Sequence, residues 1–195
     1  MRLFVAIDID EAIRERLARF LEGVRGFAPA QEVRWVRHES LHLTLKFIGE
    51  AGPERVQQIQ RALSGIRAQT AEFSFKGYGF FPSVKAPRVF WVGVQAGPNL
   101  SQLASAVDAA LAPFSTGRER APYTPHLTLA RAGSGRPQGG PGDAPSLRFQ
   151  KLQEKLAGTP EPEFGTMTAR EFFLYESKLS PGGAEYRKIE RFALS

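Results

Sequence analysis

Residues 41–48 read Leu41-His42-Leu43-Thr44-Leu45-Lys46-Phe47-Ile48, and residues 126–131 read His126-Leu127-Thr128-Leu129-Ala130-Arg131. Apolar residues alternate with polar ones in both, which is the period of a half-buried strand. Leu41, Leu43 and Leu45 therefore share one face and enter a core, while His42 and Thr44 share the other. His126 with Thr128, and Leu127 with Leu129, repeat that division. The tetrapeptide His-Leu-Thr-Leu is identical in the two places, and two of the chain's three histidines open it. One copy is an ordinary solvent face of an amphipathic strand. An identical pair, in corresponding places of two similar segments, marks an internal repeat.

Upstream of the first copy, Leu3 to Ile9 reads as a strand, and Asp10 suits the cap of a helix. Ile13, Leu17, Phe20, Leu21 and Val24 fall on one face of that helix. Val33 to Val36 is a further strand candidate. Gly52-Pro53 opens a second helix with the stripe Val56, Ile59, Leu63 and Ile66, and Phe73 and Phe75 alternate as in a strand. Around the second copy the same grammar returns. Val89 to Val94 is a strand, and Pro98-Asn99 precedes a helix burying Leu100, Leu103, Val107, Leu111 and Phe114. Tyr123 to Arg131 is the motif strand, and Phe149, Leu152 and Leu156 suggest a short helix. Ala169 to Leu179 and Tyr186 to Leu194 are strands joined by Ser180-Pro181-Gly182-Gly183, a turn composition. Strands and helices mix without a regular βαβ rhythm, so the expectation is α+β with mostly antiparallel sheet. The stretch Gly133 to Pro145, with five glycines and three prolines, reads as a mobile surface connector.

Composition narrows the function. The 195 residues carry 26 Lys+Arg against 20 Asp+Glu, a formal charge of +6. The excess is spread: +2 over residues 1–84 and +4 over residues 85–195. Arginine supplies 19 of the 26 cations, and its planar fork suits phosphate. With no cysteine, disulfides, thiolate metal sites and cysteine nucleophiles are excluded together. No apolar run reaches the roughly 18–20 residues of a membrane span, and the N-terminus meets Asp8, Asp10 and Glu11 too early for a signal peptide. A cytoplasmic protein with no membrane partner is expected.

Two strands that each present an imidazole beside a hydroxyl can handle a small anion. Facing each other, they supply an acid, a base and two hydroxyl donors. Zinc asks for a further ligand, and neither motif contains a cysteine, a carboxylate or a HExxH pattern. No metal and no cofactor are expected.

With LFVAID at the start, WVRHESLHLTLKFIGE, PYTPHLTLAR, and FFLYESKLSPGGAEYRKIERFAL at the end, the chain resembles the 2H phosphoesterases. More closely, it is similar to the LigT-like RNA 2′,3′-cyclic phosphodiesterases, formerly called 2′-5′ RNA ligases. The resemblance implies one bilobal domain over residues 1–195, with two similar lobes around a central cleft. Carried over by position, His42 matches the proton donor and His126 the acceptor, while Thr44 and Thr128 match the phosphate-binding hydroxyls. Arg131 matches an arginine near the substrate phosphate. Strict alternation, however, points Arg131 with Leu127 and Leu129, away from His126, unless a bulge intervenes.

The implied reaction opens an RNA 2′,3′-cyclic phosphate end to a 2′-phosphomonoester, without metal, by a monomer; tRNA fragments are among the candidate substrates. Free imidazole titrates near about 6.5, so both roles are expected to be accessible near neutrality without extreme tuning, under a bell-shaped pH profile centred close to it. A 2′-5′ ligase, a small cyclic-nucleotide phosphodiesterase and a non-catalytic RNA-binding module are the alternatives. Lys46 is in phase with His42 and Thr44, able to reach the cleft but read as an exposed strand-end lysine. Phe47 reads as core and His38 as surface. Trp35 and Trp91 read as sheet core, with base stacking as their alternative. Tyr123 and Phe80-Phe81-Pro82 are candidates for the cleft rim.

Overall fold

The computed structural model describes residues 1–28, 33–114, 122–133, 148–180 and 183–195. The first part of the chain runs β1 (Arg2–Asp8), α1 (Glu11–Val24), β2 (Val33–Trp35), β3 (His42–Glu50), α2 (Pro53–Ser64) and β4 (Ala71–Phe81). The second runs β5 (Val89–Ala96), α3 (Pro98–Leu111), β6 (His126–Ala132), α4 (Gln150–Ala157), β7 (Glu163–Ala169), β8 (Glu171–Ser180) and β9 (Gly183–Ala193). The expected α+β class is what the molecule has. Residues 134–147, most of the glycine- and proline-rich connector, lie outside the described residues.

Leu3-Phe4-Val5-Ala6-Ile7 is apolar on both faces, and a strand of that kind has to be covered on both sides. It lies inside a four-stranded sheet of order β3-β1-β8-β9. The other sheet has the order β2-β6-β5-β4-β7, and every pairing in both is antiparallel. The two sheets do not coincide with the two repeats. The antiparallel pair β1 and β3, joined through α1 and β2, comes from the first repeat but is completed by β8 and β9 from the end of the chain. The corresponding pair β5 and β6 is completed by β4 from the first repeat. Each lobe thus borrows strands from the other half of the sequence.

One apolar core joins the inner faces of both sheets to the helices. Ile13, Leu17 and Leu21 of α1, Ile59 and Leu63 of α2, and Leu103 and Val107 of α3 are all buried in it. α1 runs against β7, and α3 rests on β3 and β4 with α2 alongside. A second, small cluster of Phe4, Ala6, Phe173 and Tyr175 covers the opposite face of the first sheet.

β7 is the element that periodicity does not announce. Pro160 and Pro162 precede it, and Gly165, at φ +108°, interrupts the alternation of Phe164 and Met167. A Cβ at Gly165 would collide with the Arg16 guanidinium, which donates to the Phe164 carbonyl at 3.0 Å. That backbone conformation favours glycine, while the Arg16 guanidinium, at the end of a flexible side chain, could move aside.

Lys46 is not the exposed strand-end lysine expected. It is 4% exposed and paired with Asp108 of α3 at 2.6 Å, on the core side of β3. Replacing Asp108 by alanine strands a buried ammonium, so the unfolding free energy should fall by roughly 1–3 kcal/mol in urea denaturation. Lys46→Met, which fills the same space without the charge, should cost less. The reverse order would show that the pair does not anchor α3 to β3.

Candidate active site

The register of the two motif strands shows how each functional side chain is aimed. In β3, Ala6 of β1 stands opposite Thr44 and Val5 opposite Lys46, so Leu45 is one residue too many. In β6, Trp91 of β5 stands opposite Thr128 and Phe90 opposite Ala130, so Leu129 is the extra residue. The same bulge therefore occurs at the last leucine of both motifs. A bulge reverses the side-chain phase of everything beyond it. Leu45 and Lys46 are consecutively buried, as are Leu129 and Ala130. Phe47 and Arg131 emerge on the face of His42 and Thr44, and of His126 and Thr128, respectively. The alternation problem raised by Arg131 is resolved by this bulge. The same bulge corrects the reading of Phe47, which is 54% exposed on the cleft face rather than packed in the core.

The two imidazoles are held alike. His42 Nδ1 lies 2.8 Å from the carbonyl of Ser40, and His126 Nδ1 lies 2.8 Å from the carbonyl of Thr124. A carbonyl can only accept, so Nδ1 carries the proton in both and Nε2 is left for chemistry. Aromatic rings set the orientation. His42 sits 4.7 Å from Phe4 and edge-on to Tyr186 at 4.9 Å, with Tyr175 stacked at 6.1 Å. His126 meets Phe81 edge-on at 4.9 Å and Trp91 at 6.2 Å. Trp91 lies flat over Gly79, where a side chain would collide with the indole, and stacks on Phe81 at 4.9 Å. Trp91 and Phe81 therefore wall the site, whereas Trp35 packs into the core against Phe90.

The approach to His42 is fixed from α1. The buried Arg14 guanidinium donates to the carbonyls of His38, Leu41 and Ile9 and to Asp8 Oδ1 at 2.9 Å. It staples the turn 38–41 in place just before the motif. His38 itself is exposed and pairs with Glu39, as expected of a surface residue. Tyr123 ties the lobes together: its hydroxyl donates to the Thr44 carbonyl at 3.2 Å, from the segment leading into β6. A cleft of about 640 Å³ opens beside His42, lined by Asp8, Arg37, Ser40, Tyr175 and Tyr186 among others. A larger depression, of about 840 Å³ at the start of α2, holds neither histidine.

Arg131 serves both motifs. Its charge acts on His42, on His126 and on the Tyr186 phenol, each time favouring loss of a proton. The two histidines nevertheless differ. In register, Asp8 stands opposite His42, whereas Gly93 stands opposite His126. The Asp8 carboxylate, itself held by Arg14 and by Lys188 at 2.5 Å, favours the imidazolium of His42. Burial outweighs it in the free protein and pushes His42 down to about 4, against the ordinary 6.5. Burial also lowers His126, with Arg131 adding to the effect. The expectation of little tuning is thus corrected for both. Composition conceals this, because the desolvating rings come from β1, β4, β8 and β9.

Asp8, Arg14, Tyr175 and Tyr186 are site residues that sequence reasoning did not single out. Asp8, Tyr175 and Tyr186 lie within the terminal segments that carry the family resemblance, but neither periodicity nor spacing marks them as neighbours of His42. Among the described residues, no group of three His, Asp or Glu converges as a metal site.

The depressed His42 has a thermodynamic consequence. The unfolded chain takes up this proton near 6.5 and the folded chain only near 4, so protonation favours unfolding in between. Stability should therefore fall as pH drops from about 6.5 toward 4, and His42→Asn should flatten that part of the profile. An NMR titration of the free protein should show Nδ1-H throughout and a midpoint far below 6.5 for His42. A midpoint at or above 6.5 would refute the burial argument.

Comparison with known proteins follows the same outline. The model of the LigT-like phosphoesterase family matches twice, over residues 7–91 and 92–186, one match per motif. The RNA 2′,3′-cyclic phosphodiesterase of Archaeoglobus fulgidus is 33% identical over 192 residues, covering 98% of this chain and 99% of that one. That of Escherichia coli K12 is 28% identical, covering 100% and 97%. Among solved structures, E. coli LigT in apo form superposes with a TM-score of 0.74 at 28% identity, covering 100% of this chain and 97% of that one. The same protein complexed with 3′-AMP gives 0.75 at 27% identity, covering 100% and 98%. With a double family match across nearly its whole length, the chain belongs to the LigT-like phosphoesterase family.

Proposed function

We propose that this protein hydrolyses the 2′,3′-cyclic phosphate end of an RNA to a 2′-phosphomonoester, by proton transfer between two histidines and without a metal. The observation that carries the proposal is the doubled, identically held imidazole. Two imidazoles, each with a threonine two residues further along the same strand face, feel the charge of one arginine. Simple binding of RNA needs no such acid–base pair. The relatives named above act on the same class of end. All five residues belong to one chain, so a monomer suffices, and tRNA fragments ending in a cyclic phosphate are suitable substrates.

In this mechanism His126 takes a proton from water as the oxygen attacks phosphorus. The bond from phosphorus to the ribose 3′ oxygen breaks, and His42 delivers a proton to that oxygen. Thr44 and Thr128 donate to the non-bridging oxygens, and Arg131 places its charge where negative charge grows. Each turnover leaves His42 neutral and His126 protonated, and exchange with solvent restores both. The roles are those the family resemblance implies: Asp8 favours a proton on His42, although burial outweighs it in the free protein, and among the described residues Gly93 rather than a carboxylate stands opposite His126. A bound phosphodiester anion adds to Asp8, lifting His42 from its depressed value into a range where it can arrive protonated.

The direct test is incubation with oligoribonucleotides ending in 2′,3′-cyclic phosphate, with the product end identified. A 2′-phosphomonoester should form and should survive exhaustive treatment with EDTA. Loss of turnover on chelation, restored by zinc or manganese, would overturn the two-histidine mechanism.

His42→Ala and His126→Ala should each lower kcat by ~10²–10⁴-fold, and the double variant should be scarcely worse, since the two act as a unit. Because burial lowers both imidazoles in the free protein, kcat/KM should follow a bell centred on the acid side of 6.5. The bell in kcat should lie at higher pH, because the bound anion raises both. With a much better leaving group the acid is dispensable. His42→Ala should then recover and His126→Ala should not. Rescue of His126→Ala instead would exchange the two roles.

A further inference from the structure

Arg131 has a neighbour that the reaction does not use. In the register of β2 and β6, Arg34 stands directly opposite Arg131. Cross-strand partners project from the same face, so Arg34 shares the face of His126 and Thr128. The adjacent Trp35 confirms the phase, because its ring packs on Phe90 in the core. Both guanidinium groups are exposed. Neither has an ion pair with a carboxylate among the described residues. Like charges directly opposite one another on paired strands repel, so this pairing is an electrostatic cost in the free protein. It ceases to be one when an anion sits between the two. β2 is an edge strand, so among the described residues no further strand lies beyond Arg34. The chain then leads through Arg37, on the rim of the His42 cleft, into the first motif.

We propose that Arg34, paired with Arg131, forms a second phosphate subsite, one nucleotide away from the cyclic phosphate. This rests on the function proposed above and deepens it. While Arg131 serves the reacting phosphate, Arg34 takes the 5′ phosphate of the terminal nucleotide. In an RNA that group is the diester joining the last nucleotide to the rest of the chain, and a 2′,3′-cyclic mononucleoside phosphate lacks it. Adjacent phosphates of one strand lie within reach of two long side chains on neighbouring strands. The subsite therefore distinguishes an RNA end from a small cyclic nucleotide by charge alone, without reading any base.

The test uses two small probes on the intact protein: adenosine 2′,3′-cyclic phosphate, and the same molecule carrying a 5′ phosphate. The unmodified protein should prefer the 5′-phosphorylated probe in kcat/KM, chiefly through KM. Arg34→Ala should shrink that preference about tenfold, and Arg34→Lys, which keeps the charge but not the fork, should keep part of it. For an oligomer ending in the cyclic phosphate, Arg34→Ala should also lower the salt slope of log kcat/KM by roughly 0.7. Its thermal midpoint should not fall, since a like-charge neighbour has been removed. An equal preference in Arg34→Ala and the unmodified protein, or no preference in the latter, would overturn the subsite while leaving the hydrolysis standing. Failure of the unmodified protein to open the oligomer as well as both probes would overturn the hydrolysis and the subsite with it.

Discussion

The site depends on one extra residue in each motif strand. A regular strand carrying His-Leu-Thr-Leu could present the histidine, the threonine and the residue after the last leucine, but not the side chain one step further, where Phe47 and Arg131 stand. The period of two would turn that side chain into the core. The bulges at Leu45 and Leu129 allow each strand to bury two consecutive residues and then return to the cleft face. One strand delivers Arg131 there and the other delivers Phe47. The positions are equivalent and the residues are not, so the two histidine–threonine pairs repeat while the side chains just beyond them differ.

That asymmetry sets identical histidines in different surroundings. Both present Nε2 because both Nδ1 atoms donate to a carbonyl two residues upstream. Sequence identity secures this much. The partner strands then separate them: β1 sets the Asp8 carboxylate across from one, and β5 sets a glycine across from the other. Burial lowers both, and in the proposed reaction the charge of the bound anion would help load His42.

Much of this was legible in the residues, for a physical reason. His42, Thr44, His126 and Thr128 lie on strands whose period of two shows on the page, and the apolar stripes of α1, α2 and α3 follow the helical period. Arg131 could be reached only by way of family resemblance. A bulge is a property of the pairing between two strands and leaves no mark in either one alone. Lys46 and Phe47 were misread for that same reason, each displaced by one step of phase. Asp8, Tyr175 and Tyr186 stayed hidden because their relation to His42 spans sheet neighbours distant in sequence. β7 was concealed by Gly165, which breaks its alternation.

The borrowing of strands between repeats also governs how the chain can be made. β1 is apolar on both faces and belongs in the middle of its sheet, yet one of its two neighbours, β8, begins only at Glu171. During synthesis, nearly the whole polypeptide must emerge before that open edge is closed. Until then, Leu3 to Ile7 offers unpaired backbone on a hydrophobic ribbon, the form in which strands seek foreign partners. His42 also lacks the Tyr175 and Tyr186 rings until that moment. The walls around its imidazole therefore arrive last, with the closing of the sheet, and a truncated nascent chain holds the motif without its surroundings.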